Sequence, residues 1–514
     1  MKKQFQLILI IIFKITFWSS VLAQSDSLIR FSDLSYHSDF EKGAIENFVL
    51  HKRDTFNLFL AIDENMTEKE AIWRNDIYLS IFKDLEDKKI QTKKIDKKIK
   101  LSYSSVHSRF LKKYNDNDYF PVIFQTGTYN CVSASMLYAM IFDNLDIPYK
   151  IKASSNHVYL VANPGSNSIV IETTNPSFEE KIFTGEFKQQ YVNYLRTSKL
   201  ISDSEYKNKS VEELFEEKFK EVRDAEFINL PGFQYYNKAI TKLQNNEIEK
   251  ALQLSQKAYF FYPDYQVKAL LHSSLLFHIE KCAFDKLSDI DYLAQLSRFE
   301  NIDMNTVVGI FNNIIYNHLQ YTDKEAFCDS LNTRLVSQLT DRKLIDEINF
   351  TYNLQMSYRY LNSDKVEKYI AKAIAIKGNH HDAKIIMENH LQKKLYSISN
   401  SNVLLDTINQ LEKRYDHEII NSILLEHKLR AYLQNANDSF SKKIISDGEK
   451  YLLEFENNCE PPITSQMLSS IIENTYHTAA TYYFYKGNKS KAKTYVNKGL
   501  KYVPNSRLLE SVLY

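Results

Sequence analysis

Apolar residues recur at intervals of three and four along most of this 514-residue chain, the spacing of one buried face of an α-helix. Thr67-Glu68-Lys69-Glu70 has the form of a capping box and predicts that a helix begins there. A second series opens at Cys131 and stops at Asp146-Ile147-Pro148, which predicts a helix from about Cys131 to Leu145. The apolar positions are Ile72, Trp73, Ile77, Ile81 and Leu85 in the first helix, and Val132, Met136, Leu137, Ile141, Phe142 and Leu145 in the second.

After the second helix the pattern changes to the alternation of half-buried strands. We predict strands at 149–153, 157–161 and 169–172, with turns at 154–156 and 163–167. If the second turn is centred on residues 164 and 165, Tyr159 pairs with Val170 and His157 pairs with Glu172. The other face then carries an apolar set suited to a core: Val158, Leu160, Ile169 and Ile171.

Beyond residue 215 almost the whole chain has helical periodicity, and Gly (10) and Pro (9) are too few for many tight turns. We therefore divide the sequence into a segment 1–23, a mixed domain 24–215 and a helical domain 216–514. The mixed domain is expected to be α+β, with helices and a small antiparallel sheet. The second is expected to be all-α, so the protein is mainly helical.

The first 23 residues have the features of a secretory signal peptide. Lys2 and Lys3 precede an apolar run at 7–13, and Val21-Leu22-Ala23 offers small residues for cleavage. We expect export to the periplasm or the medium, with an uncleaved N-terminal membrane anchor as the alternative. No other segment is long and apolar enough to span a bilayer.

Charge and cysteine content narrow the possible partners. The net charge of +1 gives no reason to expect nucleic acid, and the seven lysines between residues 88 and 100 fit a solvated helix face beside acidic neighbours. The cysteines at 131, 282, 328 and 459 form no Cys-x-x-Cys pair, and we expect neither a metal nor another cofactor. Each is interpreted as a buried free thiol, although a bridge from Cys282 to Cys328 stays open.

Cys131 carries the candidate chemistry. At the start of a helix, unpaired N–H groups and the helix dipole lower the pKa of a thiol and increase its thiolate fraction. His157 and Glu172 follow it in the order expected of a base and of the carboxylate that orients the base. Chance juxtaposition of a buried cysteine, a histidine and a surface glutamate is the other interpretation.

This segment resembles the transglutaminase-like superfamily of papain-like cysteine enzymes. The resemblance rests on Tyr129-Asn130-Cys131-Val132-Ser133-Ala134-Ser135, His157-Val158-Tyr159 and Ile171-Glu172-Thr173-Thr174, and it covers about residues 100 to 180. The third member is commonly Asp in that family, so Glu172 is a departure. Gln125, six residues before Cys131, has the spacing of an oxyanion-hole side chain in papain-like enzymes.

The resemblance implies thiol-mediated acyl transfer on a peptide or amide substrate. With water as acceptor the protein would be a peptidase or amidase, and with an amine it would be a cross-linking transferase. The competing hypothesis is a non-catalytic cell-envelope adaptor that has kept the fold without turnover.

The helical domain resembles tetratricopeptide repeats, which are helix-turn-helix units of 34 residues. Stacked units of this kind form a solenoid that commonly binds peptide or protein, so we expect a protein partner or substrate to dock there. The positions that carry the resemblance are Tyr476, Ala479, Ala480, Tyr483, Ala492, Gly499 and Pro504 around a turn at Lys486-Gly487-Asn488; Tyr235, Ala239, Ala251, Ala258 and Pro263 around Asn245-Asn246; and, more loosely, Val366 and Ala373 between Phe350 and Gly378.

Overall fold

The structure is a computed structural model that describes residues 28–51, 54–154, 157–165, 168–171, 185–197, 200–219, 222–322, 324–415, 417–463 and 465–513. The predicted signal peptide, Glu172 and parts of the turns at 154–156 and 163–167 lie outside these residues. The described chain is mainly helical, with one small antiparallel sheet. No helix within it combines the length and the apolar character needed to cross a membrane.

The chain forms two compact units, one ending at Val307 and the other beginning at Val308. The predicted boundary at residue 215 lies inside the first unit. In the described part of the first unit the strands are β1 Lys113–Tyr114, β2 Thr128–Tyr129, β3 Tyr149–Ala153, β4 Val158–Ala162, β5 Ile169–Ile171 and β6 Arg223–Ala225. Its helices are α1 Asp39–His51, α2 Thr55–Leu60, α3 Glu68–Asp87, α4 Ile95–Phe110, α5 Phe120–Ile123, α6 Cys131–Asn144, α7 Gly185–Thr197, α8 Asp203–Asn208, α9 Val211–Phe219, α10 Leu230–Gln244, α11 Ile248–Phe261, α12 Tyr265–Lys281, α13 Ile290–Leu296 and the start of α14 Met304–Asn317.

Helix α3 begins at the predicted capping box, where the side chains of Thr67 and Glu70 each accept a backbone N–H of the other residue. The predicted buried face is partly wrong, because Ile72 and Trp73 are exposed. The helix packs instead through its neighbouring stripe, Ala71, Arg74, Tyr78, Ile81 and Leu85. Ile81 and Leu85 belong to both the predicted and the observed buried face. The apolar pattern therefore predicted the position of the helix correctly, but it predicted a buried face that is turned about the helix axis from the observed one.

The sheet has the order β5-β4-β3-β6, and every pairing in it is antiparallel. The register predicted for β4 and β5 is wrong by two residues, because Val170 pairs with Val161 rather than with Tyr159. The turn is centred later than predicted, and its residues Asn163 (φ 48°) and Gly165 (φ 153°) have positive φ. A shift of two residues preserves the faces, and Val158, Leu160 and Ile171 are buried as predicted.

Helices α10 and α11 form a hairpin that belongs to the core of the first unit. The Gln234 side chain accepts a hydrogen bond from Phe120 N (2.7 Å) and donates to Phe59 O (3.1 Å). Tyr235 Oη (2.9 Å) and Lys257 Nζ (2.7 Å) both donate to the fully buried Glu41 carboxylate of α1. The hairpin predicted from the repeat pattern therefore exists, but its side chains complete the domain that precedes it.

The second unit is a series of helices. The three predicted places with helix-turn-helix patterns are indeed helical pairs: α10 with α11 in the first unit, and α16 with α17 and α22 with α23 in the second. Membership of the tetratricopeptide class stays a prediction. The helices of this unit are the remainder of α14, α15 Glu325–Gln338, α16 Arg342–Arg359, α17 Lys365–Ile376, α18 His381–Tyr396, α19 Ser401–Arg414, α20 Glu418–Ser441, α21 Ile445–Asn458, α22 Gln466–Tyr485, α23 Lys489–Tyr502 and α24 Arg507–Glu510.

Candidate functional site

Cys131 is the first residue of α6, as the sequence predicts, and it is 6% exposed. Asn130 caps the helix: its side chain accepts from Ser133 N (2.8 Å), and Ser133 Oγ accepts from Asn130 N (2.9 Å). This reciprocal cap fixes the first turn, where backbone N–H groups lack helical partners. The thiol is therefore carried on a rigid backbone at the positive end of the helix dipole.

The segment that precedes α6 holds a tyrosine against this thiol. Strand β1 pairs with β2 in parallel, with Tyr114 beside Tyr129. The Tyr114 hydroxyl donates to Asp116 Oδ1 (2.6 Å) and lies beside the Cys131 side chain. Burial, followed by the proximity of Cys131 and Asp116, raises the pKa of Tyr114 well above its ordinary value, so the phenol keeps its proton at neutral pH.

Sequence reasoning missed Tyr114 and Asp116. Two-residue strands carry no periodicity, and β1 and β2 pair across a loop whose folding depends on tertiary contacts. The dipeptide Tyr-Asn gives no specific signal either, because it occurs five times in the sequence, and only two of its copies, Tyr114-Asn115 and Tyr129-Asn130, lie at this site. These two pairs lie next to each other, since Asn115 N donates to Tyr129 O (2.8 Å) and Asn130 Nδ2 donates to Asp116 O (3.3 Å).

His157 lies immediately before β4 and is half-buried. Its ring stacks on Tyr159 with centroids 5.4 Å apart, and its carbonyl accepts from Ser154 N (2.8 Å). Helix α6 packs on β4, and Ser135 Oγ donates to Val158 O (3.1 Å). Cys131 is one helical turn before Ser135 and His157 is one residue before Val158, so both candidates flank the same helix–strand contact.

The other two predicted site residues have different outcomes. Gln125 follows α5 and is exposed, with its backbone N–H donating to Val122 O (3.1 Å); no hydrogen bond within the described chain joins its side chain to Cys131. Glu172 lies outside the described residues, so its pairing with His157 stays a prediction. The described pairs of β4 and β5 do not follow the register from which that pairing was derived.

The position of α5 in front of the site depends on aromatic packing. Phe120 contacts Phe56 (5.7 Å between ring centroids), Phe59 (5.4 Å) and Phe124 (5.3 Å), all edge to face. Such pairs add about 0.5–1.5 kcal/mol each beyond the area that they bury. The short helix thus holds the chain that leads into β2 and Cys131.

The described cysteines are all free thiols: Cys131, Cys328 and Cys459 are buried, and Cys282 is half-buried. Among the described residues, no group of three or more His, Cys, Asp or Glu side chains is arranged to hold a metal ion. The chemistry that this site offers is that of a thiol at a helix start, a neighbouring phenol and an imidazole at a strand start.

Comparisons with known proteins add no family. No protein-family model, no curated protein and no solved structure matches this chain.

Proposed function

We propose that the protein is an exported cysteine enzyme of transglutaminase-like type that performs acyl transfer or hydrolysis on a peptide or amide substrate. The observation that carries this proposal is the position of Cys131, which opens an Asn130-capped helix packed on the strand that follows His157. A thiol at a helix N-terminus beside a potential base is the arrangement of an activated nucleophile.

In the proposed reaction, His157 takes the Cys131 proton and the thiolate attacks the acyl carbonyl carbon. The amine leaves with the proton returned by His157, and a thioester remains on Cys131. Water or a second amine then attacks the thioester and gives a proton to His157, the C–S bond breaks to release the acid or the new amide, and His157 returns the proton to the Cys131 sulfur. The Cys131 backbone N–H and the Gln125 side chain are the proposed donors to the oxyanion, and Glu172 is the proposed carboxylate that orients His157.

The test is covalent labelling of the full chain by a thiol-directed acyl probe, with the modified peptide identified by mass spectrometry. We expect Cys131→Ala to abolish labelling of the chain and Cys282→Ala to leave it intact. Cys282 is the control for general thiol reactivity, because it is half-buried whereas the other three cysteines are buried. His157→Gln and Glu172→Gln should slow labelling at neutral pH. If the Cys131→Ala chain is labelled by the probe as strongly as the wild type, Cys131 is not the nucleophile.

A second candidate function is a non-catalytic adaptor of the cell envelope. The observation that favours it is the burial of Cys131, whose side chain lies beside Tyr114. In that case the helical hairpins would recruit a protein partner, and Cys131→Ala and His157→Gln would change neither partner binding nor any turnover.

Mass spectrometry of the mature N-terminus separates a cleaved, exported chain from a membrane-anchored one.

A further inference from the structure

The Tyr114 hydroxyl has one proton and two neighbours that compete for it. Asp116 Oδ1 accepts that proton at 2.6 Å, and the Cys131 side chain lies beside the same hydroxyl. A phenol can donate only once, although its oxygen can also accept. When Tyr114 donates to Asp116, the only role left for it toward Cys131 is to accept the S–H of a neutral thiol.

The three groups are held in place by the backbone. Parallel pairing of β1 and β2 fixes Tyr114, whose ring also meets Tyr129 edge to face at 5.7 Å. The Asn130 side chain, which caps α6, donates to the main-chain carbonyl of Asp116 (3.3 Å). Asn130 thus connects the segment that contains Asp116 to the helix that carries Cys131. Because the backbone is held in this way, the Tyr114 hydroxyl can change its hydrogen-bond acceptor by rotation of side-chain atoms alone.

We propose that Tyr114 is a positioning residue that sets how readily Cys131 loses its proton, through a choice between Asp116 and Cys131 as acceptor of its hydroxyl. In the thiol state, Tyr114 donates to Asp116 and accepts from Cys131. When the thiol proton leaves to a base, the Tyr114 O–H turns to the sulfur and stabilises the thiolate. The phenol keeps its own proton in both states, and no bond between heavy atoms changes.

The elements packed on α6 carry other titratable groups, and apart from Tyr129 these are unchanged in the variants compared below. Helix α5 carries none. On α10, Tyr235 donates to Glu41, Lys238 pairs with Glu64 and Lys242 pairs with Glu247, and Tyr236 is buried beside them. The remaining groups are Tyr129 on β2, His157 and Tyr159 at β4, and Tyr103 and His107 on α4.

The two partners of Tyr114 should act in opposite directions on Cys131. Tyr114→Phe removes the donor that stabilises the thiolate, so the pH at which the thiol ionises rises. Asp116→Asn removes a negative charge and the competing acceptor, so that pH falls. A merely structural role for this loop would give loss of folding or shifts in the same direction for both variants.

The experiment is the pH dependence of Cys131 alkylation by iodoacetamide in the full chain, quantified on the Cys131 peptide so that the other three cysteines do not contribute. A hydrogen bond to a charged group corresponds to about one pH unit in the midpoint, a tenfold change in thiolate fraction. We expect a rise of that size for Tyr114→Phe and a fall for Asp116→Asn. Tyr129→Phe, which removes a neighbouring phenol hydroxyl, is the matched control and should leave the midpoint unchanged.

Midpoints that do not move, or that move together, in variants whose circular dichroism matches that of the wild type would overturn the inference. It rests on the proposed function for the identity of the base that receives the proton, but its readout is separate. Acyl-probe labelling that survives Cys131→Ala contradicts the proposed function while leaving the alkylation midpoints to decide the role of Tyr114. If the alkylation midpoints of Tyr114→Phe and Asp116→Asn do not shift in opposite directions while acyl-probe labelling depends on Cys131, only the role of Tyr114 is contradicted.

Discussion

Glu367 shows how a single carboxylate can organise a helical packing interface. Its side chain, on α17, is 6% exposed and accepts from His390 Nε2 (3.2 Å), Tyr415 Oη (2.9 Å), Lys394 and Arg414. Burial alone would raise the pKa of this carboxyl, but the hydrogen bonds and the Lys394 charge outweigh burial and lower the pKa to about 2. The folded state therefore favours the ionised form strongly.

We predict that Glu367→Gln destabilises the second unit in a pH-dependent way. A folded-state pKa below the unfolded value means that the contribution is complete above about pH 4.5 and is lost as the pH falls towards 2. The shift from 4.5 to about 2 corresponds to roughly 3 kcal/mol at neutral pH. Urea unfolding at pH 7 and at pH 3 should show a difference from wild type that is largest at pH 7.

Glu412→Gln is the control for this prediction, because Glu412 also pairs with a lysine, Lys428 (3.0 Å), yet its side chain is 36% exposed. Exposed pairs contribute about 0–1 kcal/mol, so this variant should differ little from wild type at either pH. Equal losses in the two variants at pH 7 would mean that the buried contacts of Glu367 add nothing beyond a surface ion pair.

At the scale of elements, helices α21, α22 and α23 are joined twice by the same contact, in which a glutamate binds a tyrosine and a lysine, and the two glutamates are seven residues apart. Glu449 of α21 accepts from Tyr483 of α22 (2.6 Å) and pairs with Lys491 of α23 (2.6 Å). Seven residues later Glu456 accepts from Tyr476 (3.0 Å) and pairs with Lys498 (2.8 Å). Seven residues are nearly two helical turns, so both contacts lie on one seam and fix the axial register of the three helices.

Close packing beside this seam requires a residue without a side chain at Gly499 of α23. A Cβ there would lie 2.7 Å from Leu509 Cδ1 and 2.9 Å from Tyr476 Cβ. We predict that Gly499→Ala destabilises the protein by about 1–3 kcal/mol in spite of the better helix propensity of alanine, because overpacking forces the neighbours to move. Chemical denaturation of the full chain measures the change.

Gly309 provides the opposite case in the same unit. It also lies within a helix, α14, but a Cβ there meets nothing within 4 Å. Gly309→Ala should therefore be neutral or stabilising by up to about 1 kcal/mol, the helix propensity difference between the two residues. If both substitutions stabilise the chain, the contacts at Gly499 yield easily and steric crowding does not explain that glycine.

The elements also show what a sequence can predict and what it cannot. Local chemistry located the capping box at Thr67, the start of α6 at Cys131 and the turn at Gly487, because each depends on residues close in sequence. Tertiary contacts decided the rest. The inner face of α3 is set by what packs on it, and the β4–β5 register is set by a turn with positive φ at Asn163 and Gly165.

The same distinction applies to the candidate site. Cys131 and His157 were found because their own elements have clear patterns, a helix and a strand. Tyr114 was not found, because its place beside Cys131 depends on a two-residue strand pairing with no periodic pattern. The polar side chains near Cys131 are brought together by tertiary structure, and the periodicity of a single sequence carries no information about them.

At the scale of the whole molecule, the change of periodicity near residue 215 is not the edge of a compact unit. The edge strand β6 pairs with β3 through Ile151 and Ala225, beyond the predicted boundary. Arg298, further still, donates to Leu28 O (3.2 Å) and pairs with Asp33 near the start of the described chain. Periodicity reports local secondary structure, whereas a folding unit is defined by the contacts that close its core.

These contacts predict the behaviour of fragments. A fragment of residues 24–215 lacks β6, Gln234 and Lys257, so the Phe120 and Phe59 backbone groups lose their side-chain partner and the buried Glu41 loses its cation. Removing one member of a buried pair costs about 3–5 kcal/mol, a large part of the stability of a typical domain. We expect this fragment to show no cooperative thermal transition, whereas a fragment of residues 24–303 keeps these contacts and melts cooperatively.

Near-ultraviolet circular dichroism of both fragments and of the full chain tests this expectation, because fixed aromatic packing around Phe120 requires an intact core. Glu41→Gln in the longer fragment is the finer probe, since it keeps the volume of the side chain and removes only its charge. It should lower the melting temperature without abolishing cooperativity. A cooperative transition and a native-like aromatic signal in the fragment 24–215 would show that the thiol-bearing helix and its sheet fold without the hairpin, and that the change in periodicity marks a true domain boundary.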